Sequence, residues 1–354
     1  MSRLTVLSVA YPLAAAGPDA VGGSEQVLSA LDRRLTAEGH KSIVVAPAGS
    51  EVMGELIGVP PLPSELDDAA RAAAQGHFRA AIADTLRRRR VDLVHMHGLD
   101  FHTYLPPPGP PVLATLHLPA DWYPPEALRP SRREVWLHGV SATQHADLER
   151  VASAERLLPP IGNGVPVEAL GSVRLTRRGY ALMLGRICPE KGQHLALEAA
   201  HRANVPLVIA GTVFPYASHL AYHETEVRPR LDRLRRDIGR AGFARKRRLL
   251  AGARCLLVPS LVAETSSLVS MEALAAGTPV VAFAAGALSE IIEPGRTGFL
   301  VRDVEEMAAA IRQVETIDPE TCREAARRRF PLERSTGAYL ALYRRLAGSA
   351  AAVA

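Results

Sequence analysis

The stretch Val258-Pro-Ser-Leu-Val-Ala-Glu264-Thr-Ser-Ser-Leu-Val-Ser-Met-Glu272-Ala-Leu-Ala-Ala-Gly277-Thr-Pro-Val-Val-Ala-Phe283 reads as strand end, loop, helix, turn and strand. Cys255 to Val258 is a short apolar run that predicts a buried strand. Ser266 and Ser267 are good N-cap residues for a helix running to Ala276. Gly277 stands where a left-handed C-cap belongs, and Pro279 where a helix cannot continue. Val280 to Phe283 is then a second strand, so the whole is about one βαβ unit.

Two carboxylates bracket the helix start. Glu264 lies in the loop before it, and Glu272 lies inside it among Val269, Met271, Ala273 and Leu274. An ionised group on so apolar a helix is costly unless something pairs with it. Eight helical steps rise about 12 Å, more than the roughly 5 to 9.5 Å between paired glycosidase carboxylates. The pair therefore suits the two ends of one long ligand. Between them the backbone N–H groups of Ser266, Ser267 and Leu268 offer a seat for phosphate.

Glu264-x7-Glu272 followed by Ala-Leu-Ala-Ala-Gly277-Thr-Pro-Val-Val-Ala resembles the donor-site signature of retaining glycosyltransferases of family 4. That resemblance implies an α/β protein of the GT-B fold, with two Rossmann-like, doubly wound parallel-sheet domains facing a central cleft. It implies that Glu264 binds the hydroxyls of the transferred sugar and Glu272 the ribose. One departure is plain: Ser266-Ser267 stands where the family has an aromatic-Gly pair, which bears on donor identity.

Other stretches extend the resemblance over nearly the whole chain. Gly185-Arg186-x4-Lys191-Gly192 sits between a strand and a helix, the edge of an open α/β sheet where ligands bind. Its two cations resemble the family's diphosphate-binding pair; a solvated loop would carry the same charges. Gly22-Gly23-Ser24-Glu25 resembles the Gly-Gly-x-Glu loop that faces the donor phosphate, although a tight turn would look alike. Thr115-Leu-His117 resembles the strand end whose histidine lies beside the transferred sugar, and Asn163-Gly-Val165 the turn that closes the first domain. The implied domains are 1–166, acceptor-side, and 167–331, donor-binding, with a last helix at 332–354 returning to the first.

Composition narrows the classes. The 354 residues suffice for two ordinary domains, and 47% hydrophobic content with no bilayer-length apolar run describes a globular protein. Mean hydropathy is +0.03 and the pI about 9.3. Cys188, Cys255 and Cys322 show no C-x-x-C spacing and are odd in number, which fits a reducing cytoplasm. Leu4 to Ala16 has the look of a signal peptide, but Tyr11-Pro12 interrupts it, and a buried first strand over Leu4 to Ala10 is the better reading. The net charge of +5 gathers at Arg87 to Arg90 and Arg245 to Arg248, both read as solvated helix ends. With 5% aromatic residues and no stacking motif, nucleic acid is not an expected partner. Peripheral contact with the inner face of a membrane stays open.

Further expectations concern single segments. Gly49 to Leu66 reads as loop, Thr212 to Tyr222 as loop, and Glu226 to Gly239 as an arginine-rich helix. His95, His97 and His102 suggest metal ligands but lack zinc spacing; loop histidines lining a substrate cleft are a better reading, and ordinary packing histidines the simplest. His219 and His223 are four apart, yet His223-Glu-Thr-Glu-Val227 departs from H-E-x-x-H at its fifth residue. No Asp-x-Asp motif appears, so no metal and no cofactor are expected.

The expected chemistry is transfer of a hexose from a nucleoside-diphosphate sugar, by default a UDP-sugar, to a glycan, lipid-linked or small-molecule hydroxyl acceptor. Arg186, Lys191, Glu264 and His117 are the candidate catalytic residues. Gly22, Gly23, Ser266, Ser267, Leu268 and Glu272 are the candidate donor-binding residues. A sugar-nucleotide epimerase of the same fold and a non-catalytic sugar-nucleotide-binding protein are the alternatives.

Overall fold

The computed structural model describes residues 3–61, 66–176 and 179–351. The chain divides into two compact units, residues 1–162 with 334–354 and residues 163–333. Residues 352–354 of the expected last helix lie outside the described residues.

The first unit is a seven-stranded sheet of β1 (Thr5–Val9), β2 (Lys41–Pro47), β3 (Glu55–Val59), β4 (Leu93–Met96), β5 (Val112–Thr115), β6 (Val135–His138) and β7 (Leu157–Leu158). Its order is β3-β2-β1-β4-β5-β6-β7, and every pairing is parallel. Parallel strands need crossover connections, and the helices that supply them cover the sheet. The first, Gly23–Ala37, buries Val27, Leu28, Leu31 and Leu35, the helical spacing in the sequence. β3 falls inside the stretch expected to be loop. It is an edge strand whose first three residues are only partly buried, so its pattern is weak. Residues 62–65 of that stretch lie outside the described residues. The end of the chain supplies the helix Leu332–Ala351, whose Tyr339 and Tyr343 are fully buried in this unit against the ring of His95.

The second unit repeats the plan with β8 (Ala181–Arg186), β9 (Leu207–Thr212), β10 (Arg235–Asp237), β11 (Cys255–Val258), β12 (Val280–Phe283) and β13 (Gly298–Val301). The order is β10-β9-β8-β11-β12-β13, again wholly parallel. Side chains alternate between two cores, as the pleat requires. Leu182, Leu256, Val258, Val280 and Ala282 enter one core; Ala181, Met183, Cys255, Leu257 and Val281 enter the other.

In both sheets the winding reverses direction beside the first strand, between β1 and β4 and between β8 and β11. Open α/β sheets bind ligands at the carboxyl ends of the strands that flank such a reversal. In the second unit those ends are Arg186 and Val258.

The segment Glu226–Gly239 is a correction. A π-helical turn at His223–Val227 and a 3-10 turn at Arg228–Arg230 replace the first part of the expected helix, and β10 replaces the rest. Pro229 disfavours a continuing helix, and the backbone of Arg235–Asp237 finds its partners on Leu207–Ile209 of β9. Arg235 is 5% exposed, and its guanidinium donates to Ala200 O and to Asp232. The expected loop Thr212 to Tyr222 likewise ends in a short helix, Ala217–Tyr222.

Candidate active site

The turn after β8 holds the first cations. Backbone pairing ends at Arg186, and Pro189–Lys191 makes a 3-10 turn. Gly192 then enters the helix Gln193–Ala203 with φ of 68°, a left-handed conformation that favours glycine. A Cβ there would lie 2.2 Å from Pro259 O, so the turn after β8 packs directly against the turn after β11. Leu261 N donates to Glu190 O at 2.8 Å, and Gln193 Nε2 to Arg186 O at 2.8 Å. The Arg186 guanidinium makes no hydrogen bond or ion pair to another described residue. Its charge nonetheless acts on Cys188, as does that of Lys191, so the two cations share one neighbourhood.

Because the two turns touch, Lys191 reaches Glu264. Nζ is 2.6 Å from Oε1, which also accepts from Ser260 Oγ at 2.6 Å. Glu264 is itself 9% exposed. Its backbone bridges to Gly286, and Ala287 N donates to Glu264 O at 2.7 Å. Gly286 has φ of 59°, and a Cβ there would meet Glu264 O at 2.3 Å, so the carboxylate loop is fixed from this side too.

The helix Leu268–Ala276 starts four residues beyond Glu264, and Gly277 ends it with φ of 87°. Ser267 occupies the N-cap position, but its hydroxyl does not cap the helix as expected. It instead meets Ser270 Oγ at 2.8 Å. Four other helices do carry side-chain caps: Asp67, Ser141, Asp303 and Asp318 each accept an amide hydrogen of the following turn. This helix, like Gly23–Ala37 and Gln193–Ala203, has no side-chain cap, so its first amides can bind an anion. Ser266 Oγ is buried there with no partner.

Glu272 is 2% exposed, on the next turn. Lys246 Nζ, from the helix Phe243–Gly252, is 2.5 Å from its Oε1. Its Oε2 is buried with no partner. The two glutamates thus share a pattern: a lysine fastens Oε1 of each, and no hydrogen bond from a described residue reaches Oε2 of either. Lys246 has no motif signal of its own, lying 26 residues before Glu272 in an arginine-rich run that reads as a solvated helix end.

The first unit holds Gly22, Gly23 and His117. Gly22 is the N-cap of the helix Gly23–Ala37, and Glu25, 5% exposed, accepts from Ser24 Oγ at 2.9 Å. His117 follows β5, and its Nε2 is 3.1 Å from His97 Nδ1 with the rings stacked. Burial, with His138 adding, holds the His117 pKa at about 3, so the ring is neutral and can bond without carrying charge. His95 and His97 are buried and His102 lies on the separate turn Phe101–Tyr104. His95 meets Tyr343 Oη and Thr115 Oγ1, both at 2.7 Å, which is a packing role.

Residues 178–316 match a family model described as glycosyl transferases group 1, and residues 21–151 one described as Glycosyltransferase Family 4. Between them the two matches take in most of the chain. A glycogen synthase of Mycobacterium tuberculosis is 27% identical, over 92% of this chain and 88% of that protein. The structure resembles a sucrose-phosphate synthase of Thermosynechococcus elongatus with a TM-score of 0.78, 21% identity, and coverage of 98% of this chain and 100% of the other. It resembles HepE of Anabaena, crystallised with UDP and glucose, with a TM-score of 0.72, 16% identity, and coverage of 96% and 99%.

Proposed function

The chain belongs to the family 4 glycosyltransferases, with the two α/β units of the GT-B fold, and on that premise we propose that it transfers a hexose from a UDP-sugar with retention of anomeric configuration. The acceptor in this reading is a hydroxyl of a glycan, a lipid-linked sugar or a small metabolite. Support for the donor comes from HepE, a structural neighbour crystallised with UDP and glucose.

The observation that carries the reading is the convergence at the sheet's reversal point. There Arg186, unpartnered among the described residues, the cationic Lys191 and an uncapped helix N-terminus come from the ends of two adjacent strands. Breaking the anomeric C–O bond leaves negative charge on the departing diphosphate. Lys191 has three N–H donors and gives one to Glu264, so others stay available for a phosphate oxygen. Fixed donors aimed at developing charge commonly lower a barrier more than any other device in an active site, and no metal is assigned to that task here. Oε2 of Glu264 is placed in this reading on a sugar hydroxyl, and Oε2 of Glu272 on the ribose. The family resemblance assigns His117, neutral, to the sugar and the backbone amides of Gly22-Gly23 to the phosphates. Attack comes from the face the leaving group departs from, without a covalent intermediate.

No helix among the described residues is long and apolar enough to cross a membrane. A cytoplasmic enzyme, touching the inner membrane face where its acceptor is lipid-linked, fits this proposal. The test is incubation with UDP-glucose and an acceptor panel, with the product's anomeric configuration read by NMR. An α-linked product supports the proposal. A β-linked product, or conversion of the donor to its epimer with no acceptor present, contradicts it.

A further inference from the structure

The turn that carries Arg186 and Lys191 also carries two groups that the proposed transfer does not use. Cys188 is fully buried and Glu190 partly so. His219, from the helix Ala217–Tyr222 that follows β9, is 7% exposed. One ligand-type atom of each, sulfur, carboxylate oxygen and imidazole nitrogen, lies within 4.8 Å of the other two. Among the described residues no other three Cys, His, Asp or Glu side chains converge in this way.

Their hydrogen bonding is incomplete. His219 Nδ1 and Glu190 Oε2 are both buried with no hydrogen-bond partner among the described residues. The Cys188 thiol reaches Arg186 O at 3.9 Å, a long contact even for sulfur, and also interacts with the Glu190 carboxylate. Buried polar atoms left unsatisfied are costly and uncommon. What sets these two atoms apart is that they belong to the one group of three ligand-type side chains that converge among the described residues.

We propose that Cys188, Glu190 and His219 form a binding site for a divalent transition-metal ion of the zinc type. A sulfur, nitrogen and oxygen set suits zinc, whose sites with three protein ligands keep a fourth position for water. Magnesium and calcium prefer oxygen throughout. Burial holds His219 below its ordinary pKa, with Arg186 adding and Glu190 opposing, so the imidazole enters neutral. Burial raises the Glu190 carboxyl, but its own amide, the Cys188 thiol, Arg186 and His219 hold it below the usual range, so it enters ionised. Burial pushes the Cys188 thiol up to about 11. Binding forms one bond from each ligand atom to the ion and breaks the thiol's S–H bond, its proton passing to solvent. Thiolate and carboxylate together cancel the ion's two charges, which is why Arg186 can remain beside it. The ion fastens the loop after β8 to the helix after β9. It steadies the diphosphate turn and takes no part in transfer.

The test uses the untagged full-length chain, stripped by a chelator and titrated with Co²⁺. The expected result is one Co²⁺ per chain with a thiolate-to-cobalt charge-transfer absorption, displaced by Zn²⁺. The absorption is absent from Cys188→Ser, and affinity falls about tenfold or more in Glu190→Gln and His219→Ala. Zn²⁺ raises the melting temperature of the wild type and not that of His219→Ala. Wild type without the absorption, or Cys188→Ser with it, overturns the proposal. Should Cys188→Ser not fold by circular dichroism, unchanged Co²⁺ affinity in Glu190→Gln overturns it instead.

Discussion

Lys246 grips Glu272 by one oxygen only: Nζ lies 2.5 Å from Oε1, while the buried Oε2 takes no hydrogen bond from any described residue. Lys191 holds Glu264 the same way, at 2.6 Å. A carboxylate tethered by one oxygen is oriented yet still able to accept. That combination is what a ligand hydroxyl requires.

The Lys246–Glu272 pair has side chains 13% and 3% exposed, so removing one partner strands a buried charge. Lys246→Met is expected to destabilise the second unit by about 3–5 kcal/mol. Lys246→Met combined with Glu272→Met regains most of that loss, because no charge is left to desolvate. Denaturant midpoints of the two variants measure it. A single variant as stable as the wild type would show that the lysine does not anchor the carboxylate.

Lys191→Ala is expected to lower kcat for the sugar nucleotide by about 10²–10³-fold, the usual effect of losing one fixed donor at a developing charge. Circular dichroism should stay as in the wild type, since the Lys191 side chain is 28% exposed. Turnover within a few-fold of wild type in Lys191→Ala would remove that residue from the mechanism.

Gly192→Ala introduces a Cβ 2.2 Å from Pro259 O at a φ of 68°. The left-handed backbone alone costs about 1–2 kcal/mol for a residue with a Cβ, and the clash forces the two turns apart. The expected outcome is a raised donor KM together with a lowered melting temperature. Unaltered KM would mean that the contact between the turns does not position Lys191.

Histidines 95, 97, 117 and 138 are held neutral in the first unit by burial, with neighbouring histidines adding to the effect for each and the Gly139 carbonyl opposing it for His138. His117 stands at about 3 and His138 at about 4. In the unfolded chain each takes a proton below about 6.5. Between those limits the unfolded state binds more protons, so stability is fully present above about pH 6.5 and falls as the pH drops below it. Each group adds a slope of up to about 1.4 kcal/mol per pH unit. Urea midpoints of the first unit measured between about pH 7.5 and 5, above the ordinary carboxylate range, should decline steadily. A flat profile there would mean that these rings already carry their protons in the folded chain.

Much of the second unit was legible in the sequence. The strands Cys255–Val258 and Val280–Phe283, the helix end at Ala276 and the Gly277 cap follow from apolar runs bounded by serine, glycine and proline. What failed were edge strands and tertiary partners. β10 consists of Arg235, Arg236 and Asp237, which have no β pattern; the strand exists because β9 offers its backbone edge. Lys246, Ser260 and His219 could not be tied to Glu272, Glu264 and Cys188, because each lies in a different element from its partner or gains its meaning only when two turns meet. Ser267 carries a capping signal that its side-chain pairing with Ser270 overrides.

The most direct test of the account is calorimetric titration of UDP into the wild type and Arg186→Ala. The Arg186 guanidinium has no hydrogen-bonded or ion-paired partner among the described residues, so its removal should leave the fold intact. A charge-assisted bond contributes about 1.5–3 kcal/mol, so the account predicts about 10- to 150-fold weaker binding with an unchanged melting temperature. UDP affinity within about twofold of wild type would contradict the claim that this turn holds the donor's diphosphate.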